Sequence, residues 1–405
     1  MTLWRARLVR LLDSDKFHIC GLAVVSLLMH LAVIHQADGF DFDEFYYVKD
    51  ANRILLHGNG LSAAHPSLGK LFIAAGIWIF GFDPWGWRIF SVIFSTVSVI
   101  LFYLICRKLG GKRTALFAGL LFTFENLTFW HSGIGILDPF SITFMLLSFL
   151  LYLQNRYALS GMSLALSALC KLTGLFGVLV ILGHWFVTRR GQGIRNVFLF
   201  SAGLVATLFL LMPVTDFLAS GEWLNPLERL HYLAFGHVGV KAADLPPEAR
   251  AYTAPPWDWV LKPLSSDRYY ANGLVNKKLI TPTLWALIMP SMVYLVYEWV
   301  KNRRKIALFG LLWFGGTYVI WIPLTLITGT YTYLFYFMPT VGAVSMAIGF
   351  GLNRIWEVGG DRRTTFGYLL RASVVAYLVL DIAVFFIFSP VLTLFAPHIF
   401  ARAAP

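Results

Sequence analysis

A chain of 405 residues that is 58% apolar and only 13% charged, with mean hydropathy +0.68, carries more hydrocarbon than a water-soluble core can hide, so its solvent is the bilayer. The formal charge of +12 falls in short basic clusters between apolar runs, which is the pattern of membrane orientation and argues against a nucleic-acid surface. Cys20, Cys106 and Cys170 lie in or at the ends of apolar runs without CxxC spacing, so neither a disulfide framework nor a thiolate metal site is indicated.

A spanning helix takes about 20 apolar residues. Runs of that kind lie near 17–35, 86–106, 114–131, 137–154, 159–172, 173–188, 196–214, 282–300, 306–328, 331–350 and 366–389. They predict an all-α bundle of about 11 transmembrane helices in one polytopic domain, 1–405. The first run follows a basic segment and has no small-residue cleavage site, so it reads as a retained helix with the N-terminus cytoplasmic. The odd number of crossings then puts the C-terminus outside.

The run Leu68 to Phe82 is too short to span and reads as an interfacial helix. If it crossed, Arg107, Lys108, Lys112 and Arg113 would move outside, and every later basic cluster would invert with them. The outside face then carries two long loops, 36–85 and 215–281, and function is expected there. A reporter fused near Arg304 is expected inside and one fused after Pro405 outside; both on one side would remove this topology.

The first loop opens with "DGFDFDEFYY", which packs Asp38, Asp41, Asp43 and Glu44 just beyond the first helix. The plain reading is a solvated loop face. Against it, Phe40, Phe42, Phe45, Tyr46 and Tyr47 hold the segment to the membrane interface. "HPSLGK" adds His65 and Lys70 at the start of the interfacial helix, and "GWR" adds Arg88 at the outer end of the next span. Carboxylates facing cations at the lipid boundary suit a lipid-linked phosphate, with a base on one side and positive charge on the other.

"FDFDEFYY", "HPSLGK", "GWRIFS", "FENLTFWHSGIGILDPF", "LSALCKLTGLFGVL", "APPWDWVLKP" and "YTYLFYFMPTVGA" follow in order over residues 38 to 350. Together they resemble the dolichyl-phosphate-mannose protein O-mannosyltransferase family of GT-C glycosyltransferases. Three departures stand out. The family's His-Pro-Pro is His65-Pro66-Ser67, its arginine before "xxxLD" is Gly133, and the second loop is too short for the sugar-binding module of eukaryotic members.

The resemblance implies transfer of a sugar, mannose first, from polyprenyl phosphate to an acceptor hydroxyl, protein Ser/Thr first, by inverting displacement on the non-cytoplasmic face. The lipid-linked sugar is the donor substrate, and no cofactor and no metal are expected. A prokaryotic plasma membrane fits the short form. The family's catalytic acid pair falls on Asp43 and Glu44, with Asp43 preferred as base. A phosphate leaves without a general acid, unlike the sugar oxygen expelled in glycoside hydrolysis.

His65, Lys70, Arg88, Asp138 and Lys171 are the candidates for donor phosphate and sugar. The alternatives are snorkelling cations, a capping histidine and, for Asp138, a helix N-cap. Glu125 and His131 either line the cavity or pair inside the bundle. Trp257, Trp259, Tyr331, Tyr333 and Tyr336 either stack on sugar or lipid or anchor at the interface. Two rival readings stay open: a GT-C enzyme moving another polyprenyl-linked sugar to a lipid or polysaccharide, and a transporter or structural membrane subunit.

Overall fold

The computed structural model describes residues 13–35, 39–41, 43–57, 65–188, 193–235, 240–245, 250, 253–262, 279–361 and 364–395. Asp38, the arginines at 189 and 190, and Pro405 lie outside them. In chain order the helices begin with α1 Asp15–Val33, α2 Glu44–His57, α3 Leu68–Phe80, α4 Pro84–Gly110, α5 Lys112–Thr123, α6 Asn126–Ser132, α7 Asp138–Leu153, α8 Tyr157–Cys170 and α9 Phe176–Thr188. They continue with α10 Ile194–Ser220, α11 Pro226–Phe235, α12 Pro256–Leu261, α13 Pro282–Ala286, α14 Ile288–Asn302, α15 Lys305–Phe314, α16 Trp321–Thr328, α17 Met338–Asp361, α18 Thr365–Phe388 and α19 Val391–Phe395. Among the described residues, a bridge of extended backbone pairs Thr253 with Tyr333.

Local chemistry sets the helix ends. Ser14 caps α1 by accepting from the Phe17 N–H. The Asp83 carboxylate accepts from the Gly86 N–H with Pro84 in the first turn of α4, and Arg107 and Lys108 close that helix at the negative end of its dipole. Gly111 then turns the chain at φ +87°, a conformation that suits glycine.

The protein is an integral membrane protein. Among the described residues, six helical segments are long and apolar enough to cross a bilayer: Asp15–Val33, Pro84–Gly110, Ile194–Ser220, Lys305–Thr328, Leu334–Gly360 and Thr365–Phe388. The eleven apolar runs lie mostly on helix, yet several are shorter or interrupted, and residues 331–333 of the 331–350 run are not helical. The 114–131 run breaks at Glu125, which starts α6, and the 282–300 run breaks at Leu287. α7 and α8 have 16 and 14 residues, about 24 and 21 Å at 1.5 Å per residue, against about 30 Å of hydrocarbon. Conversely, α10 runs to Ser220, past the expected start of the second loop at 215, and so takes Asp216 onto helix.

Close packing holds the short helices. α8 lies against α10 so tightly that a Cβ on Gly161 would stand 2.0 Å from the Phe200 carbonyl oxygen, the approach that small residues permit between membrane helices. α3 packs on α4 in the same way, with a Gly76 Cβ 2.2 Å from the Gly86 carbonyl oxygen. That contact fixes the helix carrying Lys70, while Trp78, Ile79 and Phe80 at its far end are exposed.

Candidate active site

The acidic segment folds into the start of α2. The Glu44 N–H donates to the Asp41 carbonyl (3.0 Å) and the Asp41 N–H donates back to Glu44 Oε2 (2.8 Å), while the Asp43 carbonyl accepts from the Tyr46 and Tyr47 N–H groups (3.0 and 3.1 Å). Glu44 is fully buried. Arg88 grips it with two parallel bonds, Nε to Oε1 at 2.8 Å and Nη2 to Oε2 at 2.7 Å, and the Gly135 N–H adds a third donor at 2.6 Å. Arg88 also donates to the carbonyls of Ile34 (2.7 Å) and Gly39 (3.1 Å). Glu44 and Arg88 therefore clamp the end of α1, the start of α2, α4 and the turn before α7.

Three more carboxylates at this end are buried against cations. Asp50 meets Lys70 at 3.0 Å, Asp138 meets Lys171 at 2.8 Å through both oxygens, and Asp216 meets Arg229 at 3.3 Å. Lys171 also faces the rings of Phe335 and Tyr336, 4.8 and 5.2 Å from their centroids. Lys171 thus has a protein partner, and Asp138 is not an N-cap: Leu137 holds that position and Asp138 is the first residue of α7.

Asp43 is half-buried. Two phenols outside the spans sense its charge. Burial, then the Asp43 and Asp138 carboxylates, push Tyr47 well above its usual range, and burial followed by Asp43 also raises Tyr331. His65 packs edge-on to Tyr47 with ring centroids 5.6 Å apart. Tyr331 meets Tyr333, Tyr333 stacks on Phe335, and Tyr336 stacks on Trp321. The Asp43 charge thus acts on both Tyr47 and Tyr331, and the Asp138 charge acts on Tyr47.

Other candidates sit elsewhere. Glu125 is fully buried and caps α6, accepting from the N–H groups of Leu127, Thr128 and Thr281, which commits its carboxylate to joining α6 with the segment before α13. His131 is buried, bonds the Leu127 carbonyl and stacks on Phe335. For both residues the placement favours pairing inside the bundle. Trp257 is partly exposed, whereas Trp259 is fully buried with its indole N–H on the Ala254 carbonyl, so it packs the core and does not anchor at the interface.

Asp50, Asp216 and Arg229 escaped the sequence reading. Asp43, Tyr47 and Asp50 stand at helical spacing i, i+4, i+7, which puts them on one face and was a usable signal. Closing the apolar run at 214 places Asp216 in the second long loop, whereas it lies on α10.

Residues 64–216 match the family model described as dolichyl-phosphate-mannose-protein mannosyltransferase. The polyprenol-phosphate-mannose–protein mannosyltransferase of Mycolicibacterium smegmatis is 29% identical over 146 residues, 34% of this chain and 28% of the relative. The undecaprenyl phosphate-alpha-4-amino-4-deoxy-L-arabinose arabinosyl transferase 1 of Pseudomonas fluorescens is 26% identical over 324 residues, 74% of this chain and 52% of the relative. The alignments thus span from about a quarter to about half of these curated relatives. Among solved structures, the S. cerevisiae protein O-mannosyltransferase Pmt1-Pmt2 complex bound to the sugar donor superposes with a TM-score of 0.71 at 12% identity, over 93% of this chain and 90% of that one, which establishes a shared fold. The resemblance to the GT-C mannosyltransferases seen in the motifs thus holds for the matched residues and for the fold.

Proposed function

We propose that this protein is a GT-C glycosyltransferase that moves a sugar, mannose first, from a polyprenyl-phosphate carrier to an acceptor hydroxyl, protein Ser/Thr first, on the non-cytoplasmic face. The observation that carries the proposal is that Arg88 takes up Glu44 with two parallel bonds, while the charge of its half-buried neighbour Asp43 acts on Tyr47 and Tyr331. Asp43 accepts the proton of the acceptor hydroxyl. That oxygen forms its bond to the anomeric carbon as the bond to phosphate breaks on the opposite face, inverting the centre, and the polyprenyl phosphate departs with the electron pair. Lys70 and Lys171 meet the growing negative charge, phosphate oxygens taking the place of Asp50 and Asp138. Arg88 acts by holding Glu44, and Glu44 by placing Asp43.

Transfer of another polyprenyl-linked sugar to a lipid or polysaccharide is the second reading. It is favoured by the wider span of the arabinosyl transferase match and by Gly133. The test is purified protein in lipid nanodiscs, given polyprenyl-phosphate mannose and an aminoarabinose analogue and scored for loss of donor. Consumption of mannose donor supports the first reading and of arabinose donor the second. Consumption of neither sinks both and raises the transporter or scaffold rival. Activity is expected to survive chelator, because lysines supply the charge that a divalent ion would; loss with EDTA that manganese or magnesium restores would make the acidic cluster a metal site.

A further inference from the structure

Ser67 occupies the N-cap position of α3, yet its side chain makes no bond to its own helix. Its hydroxyl donates instead to Asp216 Oδ1, at 2.6 Å, near the end of α10. Arg229 of α11 donates from Nε to Oδ2 of the same carboxylate at 3.3 Å and from Nη2 to the His65 carbonyl at 3.1 Å. Ser67, Asp216 and Arg229 are 1%, 1% and 7% exposed. A serine that withholds its oxygen from its helix forgoes the ordinary cap, and burying an ion pair costs desolvation that an apolar contact avoids. Helix packing alone requires neither. The network ties the chain at the first turn of α3 to α10 and α11, and Lys70, three residues after Ser67 in that turn, meets Asp50.

We infer that Asp216 and Arg229 are positioning residues for the donor phosphate: they hold the 65–67 turn so that Lys70 meets the phosphate, and they act through Lys70 without touching the donor. The inference rests on the proposed transfer reaction and gives the segment after residue 215 a part in it.

A double-mutant cycle separates this role from plain support of the fold. Arg229→Ala and Lys70→Ala are each expected to raise donor KM and lower kcat, together by about tenfold or more in kcat/KM. Added to Lys70→Ala, Arg229→Ala is expected to cost less than about threefold further, since no cation remains to be placed. Arg229→Lys, which keeps the charge but not the forked geometry, is expected to recover part of the loss, and it carries the cycle if Arg229→Ala gives no monodisperse protein. In nanodiscs without donor, Arg229→Ala is expected to speed amide hydrogen exchange at residues 65–72 and leave α17 unchanged. Full additivity with Lys70→Ala, or unchanged exchange at 65–72, overturns the inference. Wild-type protein that consumes no donor overturns the transfer reading instead, and the exchange measurement still decides whether Arg229 holds the turn.

Discussion

Asp43→Asn is expected to lower turnover by about a hundredfold to ten-thousandfold while the protein folds and binds donor normally. The backbone of Asp43 starts α2 through its carbonyl, and asparagine retains that carbonyl and the side-chain shape. What it removes is the charge that takes the acceptor's proton, a step absent from donor binding. Donor KM or a direct binding measurement should therefore barely move while kcat collapses. Near-normal turnover in Asp43→Asn would take the base away from this residue. Because Glu44 is locked to Arg88, inactivity of Glu44→Gln counts as catalytic only in protein that melts like wild type.

Arg88→Ala is expected to damage the fold before it damages donor recognition. It leaves the fully buried Glu44 without its bidentate partner and strips donors from the Ile34 and Gly39 carbonyls. Removing one member of a buried pair costs about 3–5 kcal/mol, because the partner's charge stays buried and uncompensated. The measurement is thermal unfolding and yield of monodisperse protein, with a several-degree loss or outright failure expected. Arg88→Lys should recover little, since an ammonium cannot reproduce the fork that satisfies both oxygens and two carbonyls. An Arg88→Ala protein of normal stability with strongly raised donor KM would return Arg88 to the phosphate and free Glu44 for chemistry.

The two lysine sites differ from Arg88 in a way that explains why sequence reading grouped them. In each case a cation near the membrane surface is chemically apt for phosphate, and residue type says nothing about whether a carboxylate already holds it. Distance decides. Arg88 meets both oxygens of its carboxylate and two backbone carbonyls, Lys70 meets Asp50 at 3.0 Å, and Lys171 meets Asp138 and two aromatic faces.

What the chain order determined by itself is what short-range physics controls. Apolar runs bounded by basic clusters marked the helices, because each residue's transfer free energy is nearly independent of its neighbours. The aromatic acid-rich segment after α1 marked the quarter proposed as reactive, because charge and aromatic rings gather at an interface whatever the fold. Only the tertiary structure showed that Glu44 is held by Arg88, 44 residues on, and by the Gly135 N–H, 91 residues on, since nothing in the order of the adjacent Asp43 and Glu44 marks those partners. It also recruited Asp216 and Arg229, whose partners at Ser67 and His65 lie 149 and 164 residues away. Such pairings depend on how glycine-lined helices such as α8 and α10, or α3 and α4, slide into contact, and steric fit between distant segments leaves no periodic trace in a single sequence.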